Sequence, residues 1–135
     1  MSDLKPAAAG YYFPAEFALH TATWLSWPHN PDTWPGKIDT IYPSYAQFIK
    51  ILTAGEYVHI NVAGEKMERS AREILMQHDV PMDRVKFFHH PTNDAWCRDH
   101  GPAFLINPDS RQPKVIVDWG HNAWGGKYPP FDLDD

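Results

Sequence analysis

Residues 93–102, with the sequence NDAWCRDHGP, carry the densest group of chemically capable side chains in the chain. Two carboxylates, Asp94 and Asp99, lie close to the indole of Trp96. A guanidinium group offers N–H donors in a fixed fork that carboxylates accept in pairs, and its flat face can stack on an indole. The segment therefore suits a planar cation. The residue types leave one alternative open, in which Arg98 and an aspartate form an ion pair that closes a tight turn and Trp96 is simply packed.

A metal site is the second chemical interpretation of this region. Its candidate zinc ligands are His89, His90, Asp94, Asp99 and His100. Their spacing matches neither H-E-x-x-H nor a paired-ligand pattern, and eight histidines in 135 residues will cluster by chance. We therefore expect no metal, and bound metal that is lost on substitution of His90 would favour the alternative.

The single cysteine, Cys97, lies inside the acidic segment. One cysteine cannot build an internal disulfide framework, which favours a reducing, cytoplasmic setting. Neighbouring carboxylates disfavour a thiolate, so we expect the pKa of Cys97 to be raised. We interpret it as a buried or half-buried thiol without a catalytic role.

The composition excludes several classes of protein. Hydrophobic residues make up 43% of the 135 residues and aromatic residues 14%, which is typical of one globular domain rather than a disordered chain. The net charge of -5 argues against nucleic-acid binding. No apolar run approaches the roughly 18 residues that a membrane helix needs, and the N-terminus lacks the apolar region of a signal peptide.

Apolar periodicity predicts a mixed α/β fold in the order strand, helix, strand, helix, strand, hairpin. Runs of β-branched and aromatic residues predict strands at 21–27, 57–62, 84–88, 103–106 and 114–118. Helical spacing predicts one helix that starts near Pro43 and stops at Gly55, and a second over 65–78. Residues 1–12 are expected to form a loose leader, and 28–36 and 119–130 are expected to be loops.

The run NDAWCRDHGP resembles the signature N-D-x-W-x-R-D-x-G-P of the agmatine deiminase and bacterial (Porphyromonas-type) peptidylarginine deiminase family. Three further stretches resemble the family in the same order: PAEFALHTATWLSWPHNPDTWPG, VDWGHNAWGGKYPP and the final DLDD. Together they span nearly the whole chain. The resemblance implies a pentein fold, a five-fold pseudosymmetric α/β propeller with its active site on the axis, of which this chain would form the N-terminal modules.

The resemblance also implies a reaction. Members of the family hydrolyse a guanidine to a urea and ammonia without a cofactor, through a cysteine thiolate and an S-alkylthiouronium intermediate, while a histidine moves protons. Agmatine is the leading substrate, with N-carbamoylputrescine as product, which implies a role in putrescine biosynthesis and polyamine metabolism. The alternative within the family is peptidylarginine, which would yield citrulline.

Carried over to this sequence, Asp99 matches the family's guanidinium-binding carboxylate, and Trp96 matches the aromatic residue that lines the substrate slot. The resemblance implies further substrate-binding or supporting positions at Asn93, Asp94, Asn122, Trp124 and Gly125. Arg98 is expected to brace the loop through an ion pair, since a cationic substrate would repel it.

The family's E-G-G segment, its His-x-Asp motif and its nucleophilic cysteine would all lie beyond residue 135. We therefore expect the chain to be the N-terminal part of a single pentein deiminase domain, truncated before those motifs, that supplies half of a substrate site and is inactive alone. The alternative of another class is a non-catalytic module that binds a cation or a partner. A homo-oligomer is compatible with the sequence.

Overall fold

The computed structural model describes residues 5–134. Its strands are β1 (Ala22–Ser26), β2 (Tyr57–Val62), β3 (Val85–His89), β4 (Ala103–Ile106) and β5 (Lys114–Val117). Its helices are α1 (Ile38–Leu52), α2 (Glu65–Gln77) and the single turn α3 (Cys97–His100), with 3-10 helices at Pro6–Ala9 and Met82–Arg84. Strands β1, β2 and β3 form a parallel sheet in that order, and β4 and β5 form an antiparallel pair.

The hydrophobic core lies between the parallel sheet and the two long helices. Alternate residues of β2, Val58, Ile60 and Val62, are buried, and α1 and α2 contact both β2 and each other. Ile49 of α1 and Leu75 of α2 have no exposed surface and belong to the same cluster. Burial of each such aliphatic side chain stabilises the folded state by roughly 1.5–3 kcal/mol. The packed layer therefore holds the sheet in place, and with it the ends of the strands from which the loops leave.

The predicted order of strands, helices and hairpin is confirmed, with boundaries within three residues of the predicted ones except at the start of α1. The prediction that this helix starts near Pro43 is wrong, because it begins at Ile38 and Pro43 lies inside it. Proline removes one backbone hydrogen bond from a helix interior. Aromatic packing around this turn offsets that loss, since Tyr42 stacks on Trp27 with ring centroids 5.4 Å apart.

The N-terminal segment is more ordered than the loose leader that the sequence predicted. Beyond the 3-10 helix, Tyr12 pairs with Ile106, donating its N–H to the Ile106 carbonyl at 3.0 Å, and so lengthens the hairpin sheet. The hydroxyl of Tyr11 donates to the carbonyl of Gln112 at 2.6 Å. Residues 1–4 of the predicted leader, and Asp135 at the end of the DLDD stretch, lie outside the described residues.

The segment 119–130, predicted as a loop, contains one left-handed turn, Ala123–Gly126. Ala123 and Trp124 have φ of 47° and 56°, values that cost roughly 1–2 kcal/mol for a residue with a side chain. Asn122 holds the turn, because its side-chain oxygen accepts from the Gly125 N–H at 2.9 Å. The turn leaves Trp124 partly exposed, with its ring edge-on to that of Tyr128.

No helix within residues 5–134 combines the length and the apolar character that crossing a membrane requires. The longest helix, α1, has 15 residues.

Candidate active site

A cleft of about 880 Å³ lies where three segments meet. Strands β1 and β3 run parallel, so the loops that follow them leave from the same edge of the sheet. The C-terminal tail closes the third side. The lining includes Asn30, Asp32 and Thr33 from the first loop, Asn93, Asp94, Trp96 and Asp99 from the second, and His121, Trp124, Lys127 and Asp134 from the tail.

Five of the seven site residues predicted from the sequence line this cleft: Asn93, Asp94, Trp96, Asp99 and Trp124. The other two, Asn122 and Gly125, are outside the lining and instead hold the left-handed turn that carries Trp124. The structure therefore brings both signature segments to one cavity. That any of the seven contacts a substrate stays a prediction.

The two carboxylates of the second loop differ in what they already contact. Asp94 accepts a short hydrogen bond from the Thr33 hydroxyl on one oxygen and the Ala95 N–H, at 2.7 Å, on the other. Asp99 is exposed, and its carboxylate makes no hydrogen bond or ion pair with any residue of 5–134. Within residues 5–134, two carboxylates of the cleft lining are therefore free, those of Asp99 and Asp32, and Asp99 is the one on the same loop as Trp96.

The indole of Trp96 is backed by a second indole. Trp34 stacks on it with ring centroids 5.7 Å apart and an interplanar angle of 29°. Trp96 keeps 41% of its surface exposed, and it lines the cleft. An aromatic face held in this way can accept a flat cation, an interaction worth about 0.5–2 kcal/mol according to its desolvation.

Residues at a distance in the sequence hold the loop around Asn93. The carboxylate of Asp134 accepts the Asn93 N–H at 2.8 Å, and the Asn93 side-chain oxygen accepts the Leu133 N–H at 2.7 Å. From the other side, the Asn30 amide donates to the Asn93 carbonyl at 3.4 Å. These roles of Asp134, Leu133 and Asn30 were not predicted from the sequence. Their only signal was that PHNPDTWPG and DLDD belong to the resembling stretches.

His100 lies behind the loop and is half-buried, and its Nε2 is buried without a hydrogen-bond partner within residues 5–134. Burial lowers the pKa of His100 below its ordinary value, against the opposing pull of Asp134, while the nearby His121 lowers it further. The ring is therefore neutral at physiological pH. The rings of His100 and His121 are 5.9 Å apart, and His121 in turn meets Trp124 edge-on at 5.5 Å.

Cys97 is half-buried at the start of α3 and does not line the cleft. Its thiol donates to the Trp24 carbonyl at 3.3 Å. The predicted direction of its pKa is confirmed, but the principal cause is different: burial raises the pKa of Cys97, and Asp99 adds a smaller effect of the same sign. A protonated thiol outside the cleft is not placed to attack a bound ligand.

Arg98 forms an ion pair with Glu16, and both side chains are largely exposed. The expected ion pair of Arg98 is therefore present, with Glu16 as its partner, and its bracing of the loop stays a prediction. The alternative interpretation, an ion pair between Arg98 and an aspartate of its own loop, is wrong for the described part of the chain.

The five candidate zinc ligands do not converge. His89 bonds to Glu68 with 2.7 Å between Nε2 and Oε2, and His90 stacks on Phe88 with centroids 6.1 Å apart. Among residues 5–134, no three histidine, cysteine, aspartate or glutamate side chains are grouped as metal ligands.

The family model of the Porphyromonas-type peptidyl-arginine deiminases matches residues 12–135. The agmatine deiminase of Stutzerimonas stutzeri is 37% identical over 96% of the chain and 34% of its own length, and that of Ectopseudomonas mendocina is 36% identical with the same coverage. The chain thus spans about a third of the length of the curated relatives that it matches.

Among solved structures, a cysteine-to-serine variant of the C. jejuni agmatine deiminase with substrate bound superposes with a TM-score of 0.74 at 26% identity. The match covers 92% of this chain and 34% of the other. The likeness to deiminase structures confirms the predicted α/β pentein fold.

Proposed function

Because the chain belongs to the Porphyromonas-type peptidyl-arginine deiminase family, we propose that it supplies the guanidinium-binding half of a deiminase active site. One observation carries the proposal: a free carboxylate, Asp99, and a backed, partly exposed indole, Trp96, line the same cleft. A carboxylate and an aromatic face are the two surfaces that recognise the edge and the face of a guanidinium.

The charges of the cleft favour a cationic ligand. Its described lining includes four carboxylates, those of Asp32, Asp94, Asp99 and Asp134, against one lysine, Lys127. Two of the four already accept hydrogen bonds from the protein, which leaves Asp32 and Asp99 without a partner within residues 5–134. Of these two, Asp99 shares its loop with Trp96, so we take it as the carboxylate that pairs with a ligand. Pairing a guanidinium with a carboxylate in a partly desolvated cleft is worth more than in bulk water.

The chemistry that follows is hydrolysis of a guanidine by covalent catalysis. A thiolate attacks the guanidinium carbon, ammonia leaves with the proton that an acid supplies, and water then cleaves the thiouronium to give a urea and the free thiol. Asp99 holds the guanidinium N–H groups through both steps, and Trp96 keeps the plane of the group fixed. No step requires a cofactor.

The thiolate must come from outside the described residues. Cys97, the one cysteine of the sequence, is protonated and does not line the cleft. We therefore interpret the chain as the N-terminal part of a single pentein domain whose nucleophile and proton-transferring histidine belong to the rest of the protein. The isolated 135-residue chain is expected to show no deimination.

Agmatine is the proposed substrate, because the relatives at 36–37% identity carry the name agmatine deiminase. Its product would be N-carbamoylputrescine, which places the reaction in putrescine biosynthesis in the cytoplasm. The family name favours peptidyl-arginine as the alternative. Equal or better release of ammonia from a peptidyl-arginine substrate by the full-length protein would overturn the choice of substrate and leave the chemistry in place.

The test of the site is a pair of isosteric substitutions in the full-length protein. Asp99→Asn keeps the shape and removes the charge, so kcat/KM for agmatine should fall by at least about a hundredfold. Asp94→Asn is the matched control, since both Asp94 oxygens are occupied by protein donors. Near wild-type turnover by Asp99→Asn beside an inactive Asp94→Asn would show that the wrong carboxylate has been chosen.

A second function, a non-catalytic cation-binding module, is favoured by the position of the only cysteine outside the cleft. The gene sequence beyond codon 135 distinguishes the two functions. An open reading frame past residue 135 that encodes E-G-G, H-x-D and a late cysteine supports the enzyme, whereas a stop codon supports the module.

A further inference from the structure

We propose that Asp134 is a positioning residue, whose carboxylate fixes the Asn93–Asp94 loop and through it the surface of Trp96 and Asp99 that meets the substrate. The effect on turnover rests on the proposed function; the effect on the loop does not.

The contact is buried and specific. Asp134 is only 9% exposed, which is unusual for a carboxylate. One oxygen, Oδ1, accepts the Asn93 N–H at 2.8 Å and also faces the Asp94 N–H at 3.4 Å. In return, the Asn93 side-chain oxygen accepts the Leu133 N–H at 2.7 Å. The loop thus donates a hydrogen bond to the tail, and the tail donates one to the loop.

The loop needs this partner for a physical reason. Beyond the end of β3 at His89, the chain has left the ladder of the parallel sheet. Within residues 5–134, the N–H groups of Asn93 and Asp94 have no acceptor besides Asp134. A buried N–H without a partner costs about 1–3 kcal/mol, and a charged acceptor makes a stronger bond than a neutral one.

Hydrogen bonds continue from this contact to the substrate surface. Asp94, held at its N–H, accepts the Thr33 hydroxyl and the Ala95 N–H through its side chain. Ala95 in turn accepts the Cys97 N–H at 3.0 Å, and Trp96 accepts the Asp99 N–H at 2.9 Å. A shift of the Asn93–Asp94 loop therefore moves both the indole and the free carboxylate.

The competing role for Asp134 is direct attraction of the cation, since it also lines the cleft. The two roles separate on substitution. Asp134→Asn keeps an oxygen at the position that accepts both N–H groups but removes the charge, whereas Asp134→Ala removes both. Positioning predicts rescue by asparagine, and attraction predicts that both variants fail alike.

The experiment uses the full-length protein with two readouts: kcat/KM for agmatine, and hydrogen exchange of the Asn93 and Asp94 amides. We expect Asp134→Ala to lose about a hundredfold in kcat/KM, as a displacement near 1 Å can cause, and to exchange both amides faster. Asp134→Asn should stay within about tenfold of the wild type and keep the amides protected. Asp132→Ala, an exposed neighbour outside the cleft lining, is the control and should change neither readout.

Two results overturn the inference. The first is that Asp134→Asn loses as much activity as Asp134→Ala while its Asn93 and Asp94 amides stay protected. In that case the negative charge of Asp134 acts by attracting the substrate. The other is unchanged amide exchange in Asp134→Ala. If Asp134→Ala does not fold, Asp134→Asn decides alone through the same two readouts. If the wild-type protein deiminates no guanidine, the proposed function is wrong. The amide exchange of the Asp134 variants still tests the positioning role, because it does not depend on activity.

Discussion

The side chains on the cleft wall differ in how many of their hydrogen-bonding sites the protein has already used. Asp94 is occupied at both oxygens and Asp134 accepts two backbone N–H groups, whereas Asp99 is free within the described chain. A ligand meets the unoccupied group at the lowest cost, because no protein hydrogen bond has to break first. Asp32 is unoccupied as well within residues 5–134, but Asp99 shares its loop with the Trp96 indole, and on that ground we propose Asp99 as the substrate-binding carboxylate.

Cys97 gives a prediction with a defined dependence on pH. Burial raises the pKa of its thiol, so the folded chain prefers the neutral form. The resulting stability is fully present below the pKa of an unfolded cysteine, about 8.5, and is lost as the pH rises through the higher folded pKa. At pH 8, iodoacetamide should label Cys97 more slowly in the native protein than in urea, measured on the Cys97 peptide by mass spectrometry.

The opposite result for Cys97 has a clear meaning. Native labelling that is faster than in urea, with a midpoint below that of free cysteine, would reveal an activated thiol. Cys97 would then become a candidate nucleophile. Our account expects instead that Cys97→Ser in the full-length protein retains the activity of the wild type.

At the scale of elements, the loops after β1 and β3 and the short helix α3 carry the site, and Gly101 sets the end of that helix. A Cβ at Gly101 would lie 2.4 Å from the Cys97 carbonyl oxygen, a backbone atom that cannot move without moving the turn. Gly101 also donates its N–H to that carbonyl at 2.8 Å. The glycine is therefore required for space, since its φ of -72° suits any residue.

We accordingly predict that Gly101→Ala displaces the turn that carries Asp99. The substitution should lower the free energy of unfolding by about 1–3 kcal/mol, as overpacking does, and reduce kcat/KM by roughly a hundredfold. Gly55→Ala is the matched control, because nothing lies within 4 Å of its added Cβ. Thermal unfolding measures the change in stability of the two variants, and agmatine kinetics measure the change in kcat/KM. Equal behaviour of the two variants would contradict the steric argument.

The elements also show where sequence reasoning succeeds and where it stops. Strand β2 and helix α2 follow local periodicity, so their positions were predicted closely. The early start of α1 depends on stacking between Tyr42 and Trp27, and the left-handed turn depends on Asn122; neither leaves a periodic signal. Within the cleft, Trp96 and Asp99 were found from one local motif.

The partners of that motif were not found, because they come from elsewhere in the chain. Thr33, Trp34 and Asp134 meet the loop across 40 to 62 positions of sequence. Only the fold decides which distant hydroxyl, indole or carboxylate arrives there.

At the scale of the whole molecule, the chain leaves much apolar surface exposed. Phe17 and Leu19 are 94% and 104% exposed, and Ile116 and Trp119 are 63% and 68% exposed. Phe17 and Leu19 lie two positions apart in the sequence, and exposed apolar side chains that lie together are typical of interfaces. The chain covers about a third of its relatives' length, which fits our proposal that the rest of a pentein packs against these residues.

The exposure of these side chains predicts the behaviour of the isolated 135-residue chain. Sedimentation velocity at rising concentration should show reversible self-association, driven by the exposed apolar side chains. The double substitution of Phe17 and Leu19 by serine should weaken the association, whereas serine at the exposed Met76 on α2 serves as the control. If the isolated chain stays monomeric at every concentration, the proposal that another part of the protein packs against these side chains is contradicted.

The most direct measurement of the central claim is a structure of the full-length protein with bound agmatine, its nucleophile disabled. Our account places the guanidinium against the Trp96 indole, with its N–H groups donating to the Asp99 carboxylate. A guanidinium bound elsewhere, with Asp99 turned from the cleft into an ion pair with the protein, would contradict it.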